Sequence, residues 1–186
     1  MSATRKIIVL DRDGVINYDS DDYIKSADEW RPLPGSIDAI ARLCAADYRV
    51  AVISNQSGLG RGLFEMSALK GIHAKMIANI EAAGGQLAGI YYCPHTPDDR
   101  CECRKPKTGM LRALGADLAL SSFEGVPIIG DKVSDLELAR AVGARGILVL
   151  TGKGACAAAA LGEKADAEIY KDLAAAVEAL LAQSRS

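Results

Sequence analysis

The sequence predicts a three-layer α/β protein: a parallel, Rossmann-like sheet with helices on both faces. Three observations carry this expectation. Strand-like and helix-like segments alternate along the chain. The strand segments are apolar throughout, as strands buried on both faces must be, rather than alternating with polar residues. The residues best able to do chemistry fall just after those segments, at the edge where open parallel sheets bind ligands.

The elements run in order along the chain. Lys6 to Leu10 is short, β-branched and closed by a glycine turn, a buried strand. Pro34-Gly35 introduces a helix with Ile37, Ile40, Ala41 and Leu43 on one face. Arg49 to Ile53 is the next strand, followed by a Gly-rich loop from Gln56 to Gly62. A long helix runs from Met66 to about Ala83 and stops at Gly84-Gly85. Ile90 to Tyr92 is a short strand, and an irregular Pro/Asp/Cys segment continues to Arg104. A helix is expected from Pro106 onward, a strand at Val126–Ile129, a helix at Ser134–Val142 and a strand at Gly146–Leu150. Thr151-Gly152-Lys153-Gly154 reads as a turn. A weak strand near Glu168–Tyr170 and an Ala-rich helix from Asp172 complete the chain. No repeat or linker interrupts it, so residues 1–186 are expected to form one domain without a separate cap.

Composition narrows the function classes. The chain has 186 residues, formal charge -2 and only 5% aromatic side chains. No basic face suggests a nucleic acid or membrane surface as partner. No apolar run approaches the roughly 18 to 20 residues of a membrane span, and no leader precedes the first strand. A cytoplasmic protein, monomeric and acting on a small molecule, is the expectation. Five cysteines in a reducing compartment argue for a metal or buried thiols rather than disulfides.

The most informative segment is Asp11-Arg12-Asp13-Gly14, at the tip of the first strand. Two carboxylates at i and i+2 leave the strand together. Asp11 suits a nucleophile that attacks phosphorus and divides a hard hydrolysis into two easier steps. Asp13 suits the general acid that protonates the leaving oxygen and then the base that activates water. A carboxylate repels a phosphate, so a divalent cation is needed. Mg²⁺ favours one or two carboxylates with substrate oxygens and water; Asp11, Asp13 and Asp131 are the candidates, with Asp135 supporting them one helical turn on. Ser54 and Asn55, after the second strand, offer a hydroxyl and an amide to phosphoryl oxygens. Lys105 offers a positive charge to the transition state.

A second signal is Cys93-Pro94-His95, five residues, then Cys101-Glu102-Cys103. Three thiolates and an imidazole within eleven positions make a closed Cys₃His set suited to tetrahedral structural zinc. The intervening Pro97, Asp98, Asp99 and Arg100 are loop residues that would not bury thiols. A zinc loop at 93–103 would order a segment with no core of its own and place Arg104 and Lys105. Cys44 and Cys156 are expected to be buried structural cysteines, and His73 an ordinary helix residue.

On these residues the chain resembles the haloacid dehalogenase superfamily of phosphohydrolases. Asp11 to Gly14 matches its first motif, Ser54 its second, Lys105 its third, and Gly130-Asp131 with Asp135 its fourth. The cysteine cluster running into Cys103-Arg104-Lys105-Pro106 is similar to the subfamily holding the heptose-bisphosphate and histidinol-phosphate phosphatases. The stretch Ser54 to Gly62 resembles its heptose-bisphosphate members. The resemblance implies Mg²⁺-dependent removal of the 7-phosphate from a heptose 1,7-bisphosphate through an aspartyl-phosphate, in the supply of activated heptose for lipopolysaccharide. It implies substrate contacts from Asp19, Asp22, Asn55, Gln56, Ser57, Arg61, Arg104 and Lys132. Arg61 and Arg104 would grip the distal phosphate bidentately. Three rivals remain: a histidinol-phosphate phosphatase, for which the acidic Asp19–Asp22 run would be useful; a phospho-receiver domain, whose acceptor Asp would have to stand where Ser54 is; and a zinc-stabilised binding module.

Overall fold

In a computed structural model, residues 6–162 and 167–184 are described. Six strands form one parallel sheet in the order β3-β2-β1-β4-β5-β6: β1 (Ile7–Leu10), β2 (Arg49–Asn55), β3 (Leu87–Cys93), β4 (Pro127–Gly130), β5 (Arg145–Val149) and β6 (Glu168–Tyr170). The strand order reverses between β1 and β4, which opens a crevice at their carboxyl ends. The expected α/β class is therefore what is found.

The period-2 geometry of a strand explains the layers. Ile8 and Leu10 of β1, with Val50 and Val52 of β2, pack on one face against α1 (Ser36–Ala45), α3 (Met66–Ala82) and α7 (Leu173–Gln183). Ile7 and Val9, with Ala51 and Ile53, pack on the other against α4 (Gly109–Leu118) and α5 (Val133–Ala141). Burial on both faces is why these strands read as unbroken apolar runs. A smaller cluster of Leu136, Leu148 and Ala157 seats α6 (Gly154–Leu161).

Several expectations need correction. The helix anticipated from Pro106 starts at Gly109. A turn in which the Lys107 amide donates to the Arg104 carbonyl (2.9 Å) intervenes, and the Gly109 amide donates back to the Glu102 carbonyl at 3.0 Å. A Cβ at Gly109 would strike that carbonyl, so the close approach requires glycine here. Helix α6 is absent from the sequence expectation: five of the eight residues of Gly154–Leu161 are alanine and none is charged, so it has high helix propensity but no amphipathic period to read. Strand β3 is longer than expected, and a four-residue helix, α2 (Ser57–Gly60), lies within the Gly-rich loop. Cys156 is exposed rather than buried; Cys44 is half-buried with its sulfur 3.3 Å from both the amide nitrogen and the carbonyl oxygen of Gln86.

Two connections border the carboxyl ends of the strands. Residues 11–35, between β1 and α1, are tied by bridges from Asn17 to Asp13 and Pro32 and pack Val15, Ile16 and Trp30 into the core. Residues 94–108, between β3 and α4, carry the cysteine cluster.

Candidate active site

The cleft lies where the sheet topology predicts, and it is lined by the carboxyl ends of three strands and two loops. Its volume is about 240 Å³, and its lining includes Asp11, Asp13, Asp19, Ser54, Arg104 and Lys132. Asp11 is held at the tip of β1 by its own amide, which donates to the Ile129 carbonyl of β4 at 2.9 Å. Its Oδ1 accepts the Arg12 amide at 2.7 Å and faces the Lys105 ammonium at 2.9 Å. Lys105 is buried, and its Nζ also meets Asp135 Oδ1 at 2.7 Å. Burial alone would depress the Lys105 pKa; the charges of Asp11 and Asp135 overcome it and raise the pKa, so the lysine is a fixed cation. Asn55 clamps the Lys105 backbone, accepting its amide at 3.0 Å and donating to its carbonyl at 3.2 Å. The end of β2 thereby sets the position of a residue fifty places later.

Asp131 and Asp135 follow β4 as expected, and both are fully buried. One oxygen each of Asp11, Asp131 and Asp135 lies within 4.8 Å of the others. Burial, then the negative charge of Asp11, pushes the Asp131 carboxyl up to about 7 despite Lys132. Lys132 Nζ lies 3.0 Å from Asp131, 3.4 Å from Asp19 and 3.9 Å from Asp11. Such crowding of carboxylates is what a hard divalent cation relieves, and oxygen donors of this kind suit Mg²⁺. Asp135 has its two oxygens occupied, one by Lys105 and the other by the Lys132 amide at 3.1 Å.

Asp13 departs from the expectation of a side-chain metal ligand. Its carboxylate is outside the clustered group and is held instead by Arg12, by Asn17 at 2.8 Å and by Gln56 at 2.8 Å. Burial raises its pKa, but the Arg12 charge and these hydrogen bonds outweigh that and hold it below the usual carboxylate range. Gln56 also donates to Ser54 Oγ at 2.7 Å. Ser54 thus occupies the strand tip where a receiver domain would need its acceptor aspartate.

The remaining expected contacts divide. Ser57, Gln56, Asn55, Arg104 and Lys132 line the cleft with Asp19, whereas Asp22 borders a neighbouring depression and Arg61 is exposed beyond α2, away from the lining. The wall is completed by Ser20 and Asp21 of the acidic Asp19–Asp22 run and by Tyr23 and Ile24, which no sequence motif singles out. The segment Thr151–Gly152–Lys153, expected only as a turn, reaches the carboxylates of the cleft. Thr151 Oγ1 donates to the Gly14 carbonyl at 2.6 Å, and the Lys153 amide donates to Asp131 at 2.8 Å. Gly14, at φ 84°, lies so close that a Cβ would collide with the Asp131 carboxylate. Lys153 also forms an ion pair with Asp21, joining the two loops.

At the end of β3, Cys93, His95, Cys101 and Cys103 converge. Sulfur–sulfur separations are 3.2 to 3.5 Å, and His95 Nδ1 is 3.2 Å from Cys103 and 3.7 Å from Cys93. These exceed a disulfide bond of about 2.05 Å and approach the edge of about 3.8 Å of a tetrahedron with Zn–S bonds near 2.3 Å. Burial, with Cys103 beside it, pushes the Cys93 thiol up to about 12, a cost that a soft cation would remove.

Comparison with known proteins agrees with this geometry. A family model described as "Polynucleotide kinase 3 phosphatase" matches residues 6–134, and one described as "HAD-hyrolase-like" matches residues 102–176. The chain is 49% identical to a D-glycero-beta-D-manno-heptose-1,7-bisphosphate 7-phosphatase of Pseudomonas aeruginosa, over 96% of this chain and 99% of the relative. A relative of the same name from Pseudomonas putida is 54% identical over 80% of this chain and 85% of its own length. The crystal structure of D,D-heptose 1,7-bisphosphate phosphatase from Bordetella bronchiseptica, complexed with magnesium and phosphate, superposes with a TM-score of 0.90 at 46% identity, covering 96% of this chain and 99% of that one. Among the described residues, no helix is long and apolar enough to cross a membrane. The chain belongs to the HAD-like phosphatases, in the family of the heptose-1,7-bisphosphate 7-phosphatases.

Proposed function

We propose that this protein is a Mg²⁺-dependent phosphatase that removes the 7-phosphate of D-glycero-D-manno-heptose 1,7-bisphosphate, supplying heptose 1-phosphate for activated heptose and lipopolysaccharide. The observation that carries the reading is the meeting of Asp11, Lys105 and Asp131 at the switch point of the sheet. The shared name of relatives that align along nearly the whole chain supplies the substrate.

Asp11 attacks phosphorus through the carboxylate oxygen not engaged by Lys105, forming an aspartyl-phosphate as the bond from phosphorus to the sugar oxygen breaks. The minor protonated form of Asp13, a strong acid because Arg12 favours its carboxylate, gives its proton to that departing oxygen. The Asp13 carboxylate then takes a proton from water as the water oxygen bonds to phosphorus and the bond to Asp11 breaks, which restores both groups. Lys105 and Ser54 stabilise the charge on the phosphoryl oxygens, with Asn55 clamping the Lys105 backbone in place. Asp11 and Asp131, with Asp135 behind them, would hold Mg²⁺, which neutralises charge between nucleophile and phosphate. Arg104 and Lys132 remain as cations for the rest of the substrate. The zinc loop at 93–103 holds Arg104 and Lys105 in place. The acidic wall of Asp19 and Asp21 suits sugar hydroxyls and disfavours a polynucleotide.

The test is kcat/KM with Mg²⁺ for both anomers of heptose 1,7-bisphosphate against histidinol phosphate. A preference of at least a hundredfold for a bisphosphate anomer, about 2.7 kcal/mol of discrimination, is expected. Preference for histidinol phosphate would overturn the substrate and leave the chemistry standing.

A further inference from the structure

Arg12 stands between the two motif aspartates, and its side chain is fully buried. Its Nε donates to Asp13 Oδ1 at 3.0 Å, and its Nη2 lies 2.9 Å from both Asp13 oxygens and 3.1 Å from Gln56 Oε1. Gln56 in turn donates to Asp13 Oδ2 and to Ser54. Arg12, Asp13 and Gln56 thus close a ring of hydrogen bonds beneath the cleft, and Asn17 meets Asp13 from the other side. Among the described residues, the remaining nitrogen, Nη1, is buried without a hydrogen-bond partner. A buried ion pair is weak evidence for stability in itself. What a rigid guanidinium fork does supply is a fixed plane for the carboxylate that it grips.

We propose that Arg12 is the positioning residue for the acid–base step: with Gln56 it orients the Asp13 carboxylate so that one oxygen faces the departing sugar oxygen and then the attacking water. This inference rests on the acid–base reading of Asp13. Arg12 does not touch substrate; it acts through Asp13. Its loss therefore impairs only the events in which Asp13 moves a proton: protonation of the sugar oxygen and removal of a proton from water. Attack by Asp11 on a substrate whose leaving group needs no proton is spared.

2,4-Dinitrophenyl phosphate is such a substrate. Arg12→Met is expected to lower kcat on heptose 1,7-bisphosphate about a hundredfold, with KM within threefold. With the dinitrophenyl ester it should release one equivalent of phenolate per site at near the parent rate, then turn over slowly. Arg12→Lys, a smaller change that keeps the charge and loses the fork, should show the same pattern with about a tenfold loss. In an Asp13→Asn background, Arg12→Met should add no more than a threefold loss. A burst that slows together with turnover, unchanged kinetics in the Arg12→Lys and Arg12→Met proteins, or a further large loss in the Asp13→Asn background would overturn the proposal. Asp13→Asn alone separates the two readings. If it turns over the bisphosphate normally, the acid–base assignment fails. If it is impaired while the Arg12 variants are not, only the role of Arg12 fails.

Discussion

The carboxylate cleft and the cysteine loop are adjacent in space but built in opposite ways. The cleft draws Asp11, Ser54, Lys105 and Asp131 from segments scattered over 120 residues, and the fold brings them together. Its charges are partly matched by protein groups, Lys105 between Asp11 and Asp135 and Lys132 between Asp19 and Asp131, and the carboxylates in excess are left for a cation. The cysteine loop draws its four side chains from eleven consecutive positions, and its tip at Thr96–Arg100 has no buried residue. In the first case the fold makes the site; in the second the site has to make the local fold. Removing chemistry from the cleft should therefore leave structure intact, while removing a ligand from the loop should cost structure first.

The largest expected effect breaks the cleft alone. Asp11→Asn should lower turnover at least about a thousandfold with unchanged zinc content and an unchanged melting temperature. Retained hydrolysis would remove Asp11 as nucleophile. Next is the loop. Cys101→Ala should reduce zinc to well under one ion per chain and destabilise the protein by about 2–4 kcal/mol. Activity should fall as a consequence, because Lys105 and Arg104 lie directly beyond the cluster. Metal analysis and thermal denaturation would show this, and full zinc content in the variant would sink the Cys₃His assignment.

The smallest effect sharpens the cleft's dependence on its scaffold. His73 on α3 packs against Tyr92, with ring centroids 5.7 Å apart. Burial, then the nearby Arg12 charge, pushes its pKa from 6.5 down to about 4. The unfolded chain therefore takes up a proton below pH 6.5 that the folded chain refuses until about pH 4. Stability is lost as pH falls through that window. His73→Gln should flatten this part of the pH–stability curve; an identical slope in both proteins would show that His73 does not carry it.

Much of this is legible in the sequence because the signals are local. Apolar β-branched runs mark the central strands, and Asp11 to Gly14 announces itself at a strand tip. The four side chains that cluster in the loop can be read from spacing alone. What escapes depends on long-range packing. Nothing in the sequence says that Arg12 turns inward to grip Asp13, or that the Lys153 amide reaches Asp131. The alanine-rich run of Gly154–Leu161 hides a helix that has no polar face to display. The place of Arg61 in a Gly-rich loop suggests the distal phosphate, but α2 carries it to the surface and leaves Arg104 in the cleft. Sequence identifies the residue types at a strand end; it does not say which way a loop side chain faces.

A covalent phosphate at Asp11 is the central claim, and chemical trapping tests it most directly. The Asp13→Asn protein would be quenched during turnover of 2,4-dinitrophenyl phosphate, whose leaving group needs no proton, with Mg²⁺, reduced with borohydride and digested for peptide mass spectrometry. Reduction of one carboxyl group, that of Asp11, dependent on substrate, is the predicted result. Reduction at another aspartate, or none in a protein that is still turning over, would contradict it.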